Sequence, residues 1–110
     1  MSGWIGVDLD GTLAEYGGWI GPDHIGKPIP LMLSRVKKWL SEGREVRIFT
    51  ARASIPSQVE PIANWCIEHL GVALPVTNVK DFGMIELWDD LAIQVEANTG
   101  RRMDGNTYIN

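Results

Sequence analysis

Seven residues of this 110-residue chain could carry chemistry together: Asp8 and Asp10 near its start, Thr50 and Arg52 near its middle, then Lys80, Asp89 and Asp90. Asp8 and Asp10 stand two positions apart, with Gly11 and Thr12 directly behind them. If a strand ends at Asp8, Asp10 falls in the turn, where both carboxylates can point toward one cavity. Asp89 and Asp90 raise the number of carboxylates that could crowd together there to four. Like charges at close range raise one another's pKa, so the arrangement is costly without a cation. The donor set is oxygen only, with no His or Cys, which favours magnesium over zinc or copper. Paired carboxylates, a hard metal, a hydroxyl and a lysine together suit phosphoryl transfer. One carboxylate can attack phosphorus and become an acyl phosphate. The other can protonate the leaving oxygen and later take a proton from water. The metal and a lysine neutralise the equatorial oxygens.

These residues need elements that deliver them to one place. Residues 4–9 read as a buried strand whose carboxyl end is acidic. Residues 14–30 hold Gly17, Gly18, Gly21 and Gly26 with Pro22, Pro28 and Pro30, which predicts a long loop. A helix is expected over 30–42, with Pro30 in its first turn, Gly43 at its end and an apolar stripe through Leu31, Val36, Trp39 and Leu40, with Met32 and Leu33. A strand at 45–49 leads straight into Thr50. A second helix follows over about 57–70, with Ile62, Trp65, Cys66 and Leu70 facing inward and Gly71 as its stop. Strands are expected at 73–77 and 85–88, with a fifth at 92–95. This alternation predicts an α/β fold: a small doubly wound (Rossmann-like) three-layer sandwich with a mainly parallel sheet. Sites in such sheets lie beyond the carboxyl ends of the strands. Four segments bring the polar residues named above to that edge.

Composition narrows the function classes. An apolar fraction of 45% and a charged fraction of 22% are ordinary for one globular domain, so disorder is disfavoured. The expected domain spans 1–110, with a core over about 3–95 and a polar tail over about 96–110. Apolar runs are too short for a bilayer span, and the start lacks a basic and then apolar secretory pattern; no membrane partner and a cytoplasmic location are expected. One cysteine, Cys66, leaves no internal disulfide framework and no multi-thiolate zinc site. A net charge of −4 argues against broad electrostatic binding to nucleic acid.

Asp8-Leu9-Asp10-Gly11-Thr12-Leu13 resembles the first motif of the haloacid dehalogenase (HAD) superfamily in its phosphatase form. By composition alone, Asp-x-Asp-Gly-Thr arises by chance in a chain of this length with a probability on the order of 10⁻³. Phe49-Thr50-Ala51-Arg52 resembles the second motif, and Leu87-Trp88-Asp89-Asp90 the acidic pair of the fourth. The resemblance implies a magnesium-dependent phosphomonoesterase, a hydrolase that passes through a phosphoaspartate. Asp8 is then the nucleophile and a metal ligand, and Asp10 the general acid/base with its backbone carbonyl on the metal. Thr50 holds a phosphoryl oxygen, Lys80 fixes the nucleophile, and Asp89 and Asp90 complete the magnesium shell, Asp90 being favoured for the direct bond. Gly11, Thr12, Thr50 and Arg52 are the expected substrate contacts. Lys80 lies nine residues before Asp89, closer than the third and fourth motifs usually stand. No segment is long enough for a cap domain, which resembles the capless branch.

The expected substrate is a small phosphate ester, such as a nucleotide or sugar phosphate. A nucleic-acid-end phosphatase is the alternative, followed by a phosphoacceptor module and a non-catalytic module that keeps the metal site. If the site is open, a homo-oligomer that shields it from water is physically sensible. Trp65, Cys66 and Trp39 are at helical spacing and belong to the core. Trp19, in the glycine-rich loop, is less easily explained by packing and is a candidate for a substrate entrance. His24 has no partner in the sequence that would make it catalytic.

Overall fold

A computed structural model describes residues 2–105; Met1 and residues 106–110, the end of the expected polar tail, lie outside the described residues. Four parallel strands form one sheet in the order β3-β2-β1-β4, with β1 Trp4–Val7, β2 Glu45–Phe49, β3 Val76–Thr77 and β4 Met84–Trp88. Helix α1, Pro30–Ser41, joins β1 to β2, and helix α2, Val59–Leu70, joins β2 to β3. Proline at the start of α1 costs nothing, because the first amides of a helix have no intrahelical acceptor. Gly71 ends α2 in the left-handed region, at φ 81°, where its amide reaches the Ile67 carbonyl.

Register sorts the two sheet faces. Ile5 and Val7 stand beside Val46 and Ile48, and these four share one buried cluster with Val36 of α1 and Ile62 and Cys66 of α2. Both helices therefore cover the same face, as consecutive right-handed crossovers in one direction require. Among the described residues no helix covers the other face, so two layers stand where three are expected. There Trp4 is sealed by other means. Its indole Nε1 donates to Asp81 Oδ1 at 2.8 Å, and the Arg47 guanidinium lies 4.4 Å from its ring centre. No helix among the described residues is long and apolar enough to cross a membrane.

Four expected elements shift; of the strand expected at 73–77 only Val76–Thr77 pairs with β2. Strand β1 ends at Val7 rather than at residue 9, because the chain turns at Asp8: the Leu13 and Ala14 amides both close onto the Leu9 carbonyl. The run before α2 forms two short 3-10 turns, Ala51–Ser54 and Pro56–Gln58. Residues 92–95 make no strand; Val95 pairs only with Arg102 of the tail, and Leu91, Ile93 and Val95 are exposed. The free outer edge of β4 stays unpaired, so alternation of apolar residues alone does not make a ladder.

Candidate active site

Because all four strands run the same way, their carboxyl ends share one edge of the sheet. The Asp8 amide donates to the Trp88 carbonyl at 2.9 Å, which carries the β1–β4 ladder one step past Val7 and sets Asp8 beside Asp89. Trp88 is held from behind by α1: Trp39 lies against it at 5.2 Å between ring centres, and the Arg35 guanidinium stands 5.2 Å from its ring. The next residues, Asp89 and Asp90, bring their carboxylates to Asp8, with oxygens from all three within 4.8 Å of one another. Thr12 braces the group. Its hydroxyl accepts the Asp90 amide at 2.9 Å and lies 3.3 Å from Asp8 Oδ2 and 3.2 Å from Asp90 Oδ1. Gly11 completes the fit: at φ 90° a side chain is strained, and a Cβ there would stand 2.6 Å from an Asp90 carboxylate oxygen.

This crowding has an electrostatic signature. Burial, then the charge of Asp89, push the Asp8 carboxyl from its ordinary 3.8 up to about 7, against the pull of the Thr12 hydroxyl. The three carboxylates form no ion pair among the described residues, and an all-oxygen donor set of this kind fits a hard divalent cation.

Asp10 is not part of that cluster. The turn that begins at Asp8 swings its carboxylate to Arg52, which grips it with two parallel bonds, Nε to Oδ2 at 2.8 Å and Nη2 to Oδ1 at 2.9 Å. The same guanidinium donates to the Pro22 carbonyl at 3.3 Å and the His24 carbonyl at 2.9 Å. Its carbon lies 4.9 Å from the Trp19 ring centre, and Arg52 is 5% exposed. A guanidinium engaged this way is not a free substrate contact; it ties Asp10 to the glycine-rich loop. His24 enters only through its backbone carbonyl. That loop is pinned again where Trp65 Nε1 donates to the Gly26 carbonyl at 2.9 Å.

Thr50 sits at the end of β2, where its amide donates to the Thr77 carbonyl at 2.9 Å. Its buried hydroxyl accepts the Arg52 amide at 3.1 Å, capping the first 3-10 turn. Lys80 is exposed and forms no ion pair among the described residues; it lines, with Asp89 and Trp88, a cleft of about 580 Å³ along β4. A second cleft, of about 400 Å³, opens on the other side beside Asp10, between Tyr16, Trp19, Arg52 and Gln58. A third, of about 410 Å³ near Asp23 and Trp65, contains none of the strand-end residues. The sequence reading passed over Tyr16 and Gln58; neither lies in a motif, and only the folded loop brings them to Asp10. No family model, curated protein or solved structure matches this chain.

Proposed function

We propose that the chain is a capless magnesium-dependent phosphomonoesterase of the HAD type, acting through a phosphoaspartate on Asp8. The observation that carries this reading is the meeting of Asp8, Asp89 and Asp90 around the Thr12 hydroxyl at the carboxyl ends of β1 and β4. A strand order of 3-2-1-4 accords with it. Asp8, Asp89 and Asp90, with the Asp10 backbone carbonyl, would hold the ion. When bound, magnesium supplies charge that offsets the phosphoryl oxygens and keeps Asp8 ionised.

The residues divide the work. An Asp8 carboxylate oxygen forms the bond to phosphorus while the bond to the leaving oxygen breaks. Asp10, held by Arg52 on the edge of the neighbouring cleft, gives that oxygen its proton. The same carboxylate then takes a proton from the water that attacks phosphorus, releasing phosphate and restoring Asp8. Thr50 offers its O–H to a phosphoryl oxygen from the tip of β2, and Lys80 reaches in from the β4 cleft to balance charge. Arg52 acts through Asp10 as a positioning residue.

Hydrolysis of p-nitrophenyl phosphate, measured with and without magnesium in wild type and Asp8→Asn, tests the reading. Magnesium-dependent turnover that disappears in the variant is expected. Undiminished turnover in pure Asp8→Asn would refute the covalent route. A wild type that turns over no phosphate ester, with beryllofluoride failing to bind, would refute phosphoryl chemistry altogether.

A further inference from the structure

The cleft beside Asp10 has features that holding the acid does not require. Its walls carry Tyr16 and Trp19, which are 50% and 55% exposed although both are large rings. One face of Trp19 lies against the Arg52 guanidinium, which fixes the indole as a platform. The volume of about 400 Å³ lies in the range of small-molecule sites.

We propose that this cleft binds the leaving group of the substrate, and that the leaving group is a nucleoside: its base stacks on Trp19 beside Tyr16. The inference rests on the phosphatase reading and names its substrate class, a nucleoside monophosphate. Position supports it, because Asp10 lines the same cleft, and the acid must face the oxygen that leaves. A monomeric nucleotide is favoured over a nucleic-acid end, since the chain carries a net charge of −4 and the cleft has room for one base.

Calorimetric binding to magnesium-loaded Asp8→Asn protein tests this without turnover, so a failure of the cleft and a failure of the phosphatase reading separate. The ligands are the four common nucleoside 5′-monophosphates, ribose 5-phosphate and a 5′-phosphorylated tetranucleotide. The best nucleotide should bind about tenfold or more tightly than ribose 5-phosphate. Trp19→Ala should reduce that preference to about threefold or less. Equal binding of nucleotide and ribose 5-phosphate, or a preference that survives Trp19→Ala, would overturn the proposal. So would tighter binding of the tetranucleotide than of every mononucleotide.

Discussion

Asp8 and Asp10 are separated by one residue, yet they occupy opposite electrostatic surroundings. Asp8 faces two further carboxylates and a hydroxyl, and its proton is held up to about 7. Asp10 faces a guanidinium in bidentate contact at 2.8 and 2.9 Å. Leu9, fully buried between them, is the pivot: with its side chain in the core, the turn sends one carboxylate toward β4 and the other toward the loop. Separate environments for two carboxylates are how one short motif can hold two chemical roles. The Asp8 side is built to receive positive charge from outside. The Asp10 side already contains its own.

That contrast can be broken one side at a time. Asp8→Asn has the largest expected effect, a loss of turnover on the order of 10⁴-fold or more, because the attacking oxygen is gone. Circular dichroism should remain that of the wild type. Asp10→Asn should lower steady-state turnover of an alkyl phosphate by about 10²- to 10⁴-fold. With p-nitrophenyl phosphate, whose leaving group needs little protonation, a burst of p-nitrophenol should precede a stall as phosphoenzyme accumulates. A variant without that burst would place the acid elsewhere.

Arg52→Lys sharpens the comparison on the Asp10 side. It keeps the charge and loses the fork that fits a carboxylate, so kcat should fall about 10- to 100-fold for alkyl phosphates and less for p-nitrophenyl phosphate. A loss equal for both leaving groups would mean that Arg52 merely supports the fold. The smallest effect is on stability. An Asp8 pKa that is higher in the folded protein than its ordinary 3.8 means that the folded chain holds this proton more tightly between 3.8 and about 7. Metal-free protein should therefore lose stability as pH rises through that window. Magnesium should restore it, and Asp8→Asn should flatten the slope; a slope unchanged in the variant would assign it to another group.

Much of this arrangement is legible in the sequence, for reasons that lie in particular residues. Glu45–Phe49 and the start of α1 follow from local chemistry, since Pro30 and Gly43 punctuate them and alternation marks the strand. The meeting of Asp8 with Asp89 and Asp90 follows from parallel topology, which brings every carboxyl end to one edge. The destination of Asp10 does not, because its partner Arg52 lies 42 residues away and nothing in their spacing links them. The fifth strand is absent for a similar reason: residues 92–95 have strand-like alternation, but where the chain goes after β4 decides whether they lie along its free edge, and here Val95 bridges to Arg102 instead.

The braced contact between Gly11, Thr12 and Asp90 spans 78 residues and joins the first strand to the last. During synthesis β1 can gain β2 as a neighbour early, while its other edge waits until residues 84–88 have been made. The negatively charged centre thus comes into being only as the final strand docks, and an incomplete chain has nothing there to capture an ion. A cation that binds the finished cluster stabilises the native state alone, fastening β4 to β1. Site assembly would then report that β4 has docked.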